Sequence, residues 1–215
     1  MSLRLLADAL ARELPQERLV VVLAGSNGAG KSTLYDHALR ETGLPFVNAD
    51  LIADALPQPP SVERDLEAAR RADAERAELV AAGLSFVTET VFSDPKGAKL
   101  EALRDAQRRG YAVWLVFVGL ASADLSVLRV SQRVARGGHA VPIERLIARY
   151  ERTLRNAREA VRFVDRAWLF DNSSDLEPYR FVATFERGRC VRRGAAAAPR
   201  WARAIAPSLA RRERR

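Results

Sequence analysis

Apolar residues along the chain alternate between two periods. Leu3, Leu6, Leu10 and Leu14 recur at helical spacing after Ser2 and stop at Pro15, which predicts a short amphipathic helix. Residues 19–23, Leu-Val-Val-Val-Leu, form the unbroken apolar run that a strand needs when both its faces are covered. Helical spacing returns over residues 31–40, Gly43 punctuates it, and residues 45–48 read as a second short strand leading to Asp50. Pro57, Pro59 and Pro60 mark a loop, and Ser61 then caps a charged, alanine-rich helix to about residue 82. A third strand over 85–88 carries Glu89 and Thr90 at its carboxyl end, and a helix follows over 95–109. Residues 111–118 make the fourth and most apolar strand, and Ser122 caps a helix that reaches Gly137 and Gly138. A long helix over 142–164 begins with Pro142 in its first turn and lines one face with Ile143, Leu146, Ile147, Tyr150, Leu154, Ala157 and Val161. The fifth strand is 167–170, and alternation over 179–185 and around Cys190 and Val191, across Arg187 and Gly188, predicts a hairpin.

Strands alternating with helices in this way predict an α/β fold: a five-stranded, mainly parallel sheet with helices on both faces and a small C-terminal hairpin. Ligands of such sheets bind outside the carboxyl ends of the strands. Gly25, Asp50, Glu89 and Asp171 each follow a predicted strand, so they are expected to converge on one cleft.

Charge changes this picture only at the end of the chain. Of the formal net charge of +8, all is contributed by residues 186–215, with ten arginines against two glutamates, and the rest sums to zero. The body therefore carries no nucleic-acid footprint, whereas the basic tail suits a nucleic acid or an acidic partner. Residues 1–194 are expected to form one domain and 195–215, which open with four alanines, a solvated and partly disordered tail whose deletion leaves catalysis intact. The single cysteine, Cys190, leaves no internal disulfide or thiol cluster, and no apolar run is long enough for a membrane span, which predicts a cytoplasmic protein.

Candidate chemistry centres on residues 25–32, where Gly25, Gly30, Lys31 and Ser32 fit the pattern G-x-x-x-x-G-K-[ST] between a buried strand and a helix. Glycines let successive N–H groups turn toward phosphate oxygens, and the helix start adds its positive dipole end. Gly25, Ser26, Asn27, Gly28, Ala29, Gly30, Lys31, Ser32 and Thr33 are thus expected to hold ATP, with Lys31 on the β/γ-phosphates and the Ser32 hydroxyl on Mg²⁺. Lys31 is one of three lysines beside 32 arginines, so its type is a specific choice.

Phosphoryl transfer further needs positioning and charge compensation. Asp50 is placed to take the proton of an acceptor hydroxyl or to cap the helix behind it; Glu89 and Thr90 to bind the acceptor, Glu89 alternatively to hold a magnesium-bound water or to end a solvated strand. Asn172 lies in the loop after the fifth strand, which either wraps the adenine or is a plain polar turn. His139 is a substrate contact or an exposed loop residue. Arg129, Arg133 and Arg136 stand at i, i+4 and i+7 with no acidic residue among them, so a helix would present them as a phosphate clamp hinged at Gly137 and Gly138; the alternative is a solvated face paired with distant acids.

These elements resemble the zeta-toxin-like family of P-loop small-molecule kinases, over about residues 19–175. The resemblance rests on residues 25–33, Asn48-Ala49-Asp50, Thr88-Glu89-Thr90, and the stretch from Arg129 to the Gly-Gly-His-Ala-Val-Pro of 137–142. It implies a nucleoside-kinase-like architecture with a helical lid, an aspartate at position 50 as base, lid arginines on the transferring phosphate, an antitoxin-like partner, and a UDP-activated amino sugar as acceptor. Two departures stand out: His139 lies near where the toxins place a second arginine, and the third strand ends Thr-Glu-Thr rather than Glu-Gly-Thr. The function expected is transfer of the γ-phosphoryl group of ATP to a hydroxyl of a small molecule. A nucleic-acid-linked P-loop ATPase and an ATP-binding module without turnover are the competing classes.

Overall fold

A computed structural model describes residues 2–14, 18–135 and 141–210. Strand β1 (Leu19–Ala24) is buried at all six positions, as its continuous apolar run requires. It lies inside a sheet with β2 (Phe46–Val47), β3 (Phe86–Thr90), β4 (Ala112–Gly119), β5 (Arg166–Asp171), β6 (Arg180–Glu186) and β7 (Arg189–Arg193), in the order β2-β3-β1-β4-β5-β6-β7. The first five are parallel, as expected, with Val22 beside Thr88 and Ala24 beside both Thr90 and Phe117.

The expectation of five strands is corrected to seven in a mixed sheet. The hairpin is not an appendage: β6 pairs antiparallel with β5, and β7 with β6. An open β5 would leave a row of unpaired backbone groups on an apolar edge. Phe181, Val182, Ala183 and Phe185 of β6 are buried against it, and the two-residue turn uses positive φ at both Arg187 (45°) and Gly188 (80°), the geometry that matches strand twist.

Helices cover both faces: α1 (Ser2–Glu13), α2 (Lys31–Leu34), α3 (Ala49–Ala55), α4 (Val62–Ala81), α5 (Ala98–Arg108), α6 (Ala123–Val134) and α7 (Ile143–Val161). Alternate residues of β1 feed the two apolar layers, Val20 and Val22 one, Val21 and Leu23 the other. Ser61 and Ser122 cap α4 and α6 as read from sequence, their hydroxyls accepting from Arg64 N (3.1 Å) and Leu125 N (3.2 Å).

Residues 195–210 do not behave as a solvated tail. Helix α8 (Arg200–Ile205) packs on α7 and the sheet, burying Trp201 (2% exposed), Ala202, Ile205, Ala206 and Leu209. These positions follow helical spacing, a signal masked by the surrounding arginines and alanines. Trp201 packs tilted against Phe117 (ring centroids 5.6 Å apart) and covers Gly119, where a Cβ would lie 2.3 Å from its ring. Arg200 and Arg203 stay exposed. Among the described residues no helix is long and apolar enough to cross a membrane.

Candidate phosphotransfer site

The loop of residues 25–30 joins β1 to α2, and glycine is required at its two ends. At Gly25 (φ 154°) a Cβ would sit 2.3 Å from the Val118 carbonyl; at Gly30 (φ 89°) it would sit 2.6 Å from Asn172 Nδ2 and 2.8 Å from the Tyr179 hydroxyl. Three loop carbonyls are tied to the surrounding shell. Ser126 Oγ donates to Asn27 O (2.6 Å), Asn172 Nδ2 to Ala29 O (2.8 Å) and the Tyr179 hydroxyl to Gly30 O (2.8 Å). Among the described residues the N–H groups of Gly28, Gly30, Lys31 and Ser32 make no backbone hydrogen bond, and the Ser26 hydroxyl is buried without a partner. With carbonyls engaged outward and donors free, the loop fits polyphosphate.

Beside the loop, Glu89 at the end of β3 has a side chain only 7% exposed and joins three residues. The Ser32 hydroxyl donates to Oε2 (3.0 Å), Asn48 Nδ2 to the same oxygen (3.1 Å), and Lys31 Nζ lies 3.6 Å from Oε1 while donating to Ser26 O (3.2 Å). A serine hydroxyl and a buried carboxylate so placed fit Mg²⁺, which keeps most of its waters and takes few protein ligands. Asn48 also caps α3, its Oδ1 accepting from Asp50 N (2.8 Å) and Leu51 N (3.4 Å). The capping role considered for Asp50 therefore belongs to Asn48, and Asp50 stands exposed in the first turn of α3. Across from it, burial, with Arg145 and Arg152 next, pushes the Arg149 guanidinium down, while Asp50 and Asp65 oppose the shift.

Several sequence assignments change. Asn172 is buried with its amide committed, Nδ2 to Ala29 O and Oδ1 accepting from Tyr179 N (3.3 Å), so it is a strut beneath the phosphate loop and not an adenine contact. Arg129 has an acidic partner after all: it donates to Asp175 (2.8 Å) and to Asn172 O (2.7 Å), tying α6 to the turn after β5. With Arg129 at 18% exposure and Asp175 at 96%, that ion pair is weak in itself. Arg133 is exposed, and Arg136 and His139 lie outside the described residues. Thr90 accepts from Lys99 Nζ (2.6 Å) and Phe92 N (3.0 Å). Sequence reading passed over Lys99, whose partner Thr90 lies across the turn into α5, and Ser126 and Tyr179, whose partners Asn27 and Gly30 lie far along the chain. Arg145, Arg149 and Arg152 of α7 repeat the i, i+4, i+7 spacing of the α6 arginines.

The sequence profile of the zeta toxin family matches residues 6–180. The chain belongs to the zeta toxin family. This zeta toxin relative is 26% identical over 131 residues to an uncharacterised protein of Haemophilus influenzae, covering 60% of this chain and 91% of that one. Its fold is shared with the PezAT chromosomal toxin–antitoxin system of Streptococcus pneumoniae (TM-score 0.57, 17% identity, 79% of this chain and 76% of that). The AvrRxo1-ORF1:AvrRxo1-ORF2 structure, solved with sulphate ions and with ATP, is also similar (TM-score 0.63, 21% identity, 88% of this chain and 64% of that). Family and site together make this an ATP-binding phosphotransferase of the P-loop kinase kind.

The two arginines of α6 separate by experiment. Arg129→Ala is expected to weaken ATP binding, because the Asn172 carbonyl loses its donor beside the loop. Arg133→Ala is expected to lower kcat about 10³-fold at unchanged ATP affinity if it reaches the transferring phosphate. Steady-state kinetics and nucleotide titration of both variants decide this, and full activity of Arg133→Ala removes it from the clamp.

Proposed function

We propose that this protein transfers the γ-phosphoryl group of ATP to a hydroxyl of a small molecule bound between α3, β3 and α7. What supports the reading is the junction at Glu89, which holds Lys31, Ser32 and, through Asn48, the start of α3 that carries Asp50. The donors of the phosphate loop and Lys31 hold the β- and γ-phosphates, and the acceptor oxygen approaches from the Asp50 side. As its bond to phosphorus forms and the bond to ADP breaks, Asp50 takes the hydroxyl proton. Ser32 and Glu89 would hold Mg²⁺, which when bound neutralises charge across the phosphates. Arg149 and the exposed Arg133 offer further compensation on either side of the cleft.

The resemblance nominates a UDP-activated amino sugar as the first acceptor to try, and family membership supports an antitoxin-like protein partner. Labelled-ATP transfer onto a library of hydroxylated metabolites, read by mass, tests the activity. Asp50→Asn keeps the shape and the Asn48 cap, so kcat is expected to drop 10²- to 10⁴-fold with ATP affinity kept. An unchanged kcat would make Asp50 a surface residue of α3. Absence of transfer to any acceptor, with ATP bound, would leave a binding module.

A further inference from the structure

Three consecutive residues at the carboxyl end of β3 each hold a different cation. Thr88 Oγ1 accepts from Arg76 (3.0 Å), Glu89 faces Lys31 (3.6 Å), and Thr90 Oγ1 accepts from Lys99 Nζ (2.6 Å). Side chains alternate along a strand, so Thr88 and Thr90 point to the face opposite Glu89 and the phosphate loop, where α4 brings Arg76 and α5 brings Lys99. The chemistry differs across the three. Arg76 also pairs with Asp73, and Lys31 with Glu89, whereas among the described residues Lys99 has no carboxylate within salt-bridge distance.

Hydrogen-bond capacity defines what fits beside Lys99. The Thr90 oxygen already accepts twice, from Lys99 and from Phe92 N (3.0 Å), so its own proton remains to be donated. An ammonium has three protons and Lys99 directs one to Thr90, which leaves two. The protons left over at Lys99 and Thr90 are all donors, and a phosphate or carboxylate oxygen can accept them together. Burial, and then Arg76, push the Lys99 ammonium down, with Asp73 and Asp94 acting the other way and Lys31 adding to the fall. An added anion relieves that cost.

The patch is also rigidly built. The turn after Thr90 carries Phe92 at φ 61° with its ring fully buried, a conformation that a bulky residue adopts only when its surroundings enforce it. Helix α7 does so by gripping four successive carbonyls: Thr153 on Val91 O (2.7 Å), Asn156 on Phe92 O (3.0 Å) and Asp94 O (2.9 Å), and Arg152 on Ser93 O (2.9 Å). Asp94 then fixes the first turn of α5 by accepting from Ala98 N (2.8 Å), which seats Lys99.

We propose that Lys99 and Thr90, flanked by Arg76, form an anion subsite on the acceptor side of the cleft that takes a phosphate or carboxylate group of the molecule to be phosphorylated. This rests on the kinase reading of the cleft and narrows the acceptor to an anionic hydroxyl compound. The chain has only three lysines, Lys31, Lys96 and Lys99, so lysine labelled with ¹³C at Cε gives three resonances, assigned from single lysine-to-arginine variants. Protein loaded with magnesium and a non-hydrolysable ATP analogue is titrated with inorganic phosphate in one arm and acetate in the other. The Lys99 resonance is expected to shift saturably while exposed Lys96 does not, and the stronger arm names the group. Thr90→Val is expected to weaken the response roughly tenfold and Lys99→Met to abolish anion binding, with Lys99→Arg restoring it and thermal melting confirming a folded protein. A Lys99 resonance that ignores both anions, or moves no more than Lys96, overturns the subsite. Failure of Lys31 to respond to the ATP analogue would instead overturn the kinase reading.

Discussion

Lys31→Met is expected to reduce phosphoryl transfer by about 10³-fold or more while leaving the protein folded. In the present geometry Lys31 bridges the Ser26 carbonyl and Glu89, beside the loop N–H groups that make no backbone hydrogen bond. Removing its charge takes away compensation that grows as the γ-phosphoryl group is transferred, so kcat falls further than ATP affinity. Methionine keeps most of the buried stem volume, which limits the packing loss. Glu89 retains Ser32 and Asn48 as donors, so it is not stranded. Single-turnover kinetics with labelled ATP and a denaturation curve on the same preparation test both halves. Wild-type turnover in this variant would remove the loop from the chemistry.

Trp201→Ala is expected to cost about 3–5 kcal/mol of stability, a large fraction of the roughly 5–15 kcal/mol by which a domain of this kind is folded. The indole is 2% exposed and fills the space left by Gly119 at the end of β4. Its Nε1 donates to Asp171 Oδ1 (3.1 Å), a carboxylate that also accepts from Ser173 (2.5 Å) and pairs with Arg180 (2.9 Å). Asp171 is followed by Asn172, the strut on Ala29, so the C-terminal segment supports the phosphate loop through two residues. Trp201→Phe keeps an aromatic ring but removes the donor and part of the indole volume, with an expected cost of about 1.5–3 kcal/mol and weaker ATP binding. Truncation after Gly194 follows the same logic and is expected to unfold the chain or abolish ATP binding, the reverse of the outcome foreseen for a solvated tail. Denaturant unfolding and nucleotide titration measure these effects, and wild-type stability of the truncated protein would dismiss the support.

Local chemistry was legible. Gly25, Gly30, Lys31 and Ser32 act through their own backbone freedom, charge or hydroxyl at fixed spacing, so their placement follows from a few neighbouring residues. Asp50 and Glu89 were legible as strand-end carboxylates, because parallel strands deliver their carboxyl ends to one edge. Asn172 was found for the wrong reason: its polarity was visible, but its partner Ala29 lies 143 positions away. The arginines show the same limit. The spacing of Arg129, Arg133 and Arg136 recurs at Arg145, Arg149 and Arg152, and nothing local tells that Arg129 pairs with Asp175 while Arg149 lies near Asp50. Trp201 stood in a segment whose charge concealed its helical spacing.

The sequence by itself determined the order of strands and helices, the parallel run of the first five strands and the phosphate loop, because period, turn residues and glycine conformations are properties of short stretches. Only the tertiary structure decided which strand lies beside which, that β6 and β7 close the edge of β5, and which cation meets which acid or hydroxyl. Those outcomes turn on burial and on pairings between residues far apart in the chain, where many partners satisfy the same local pattern and packing selects one.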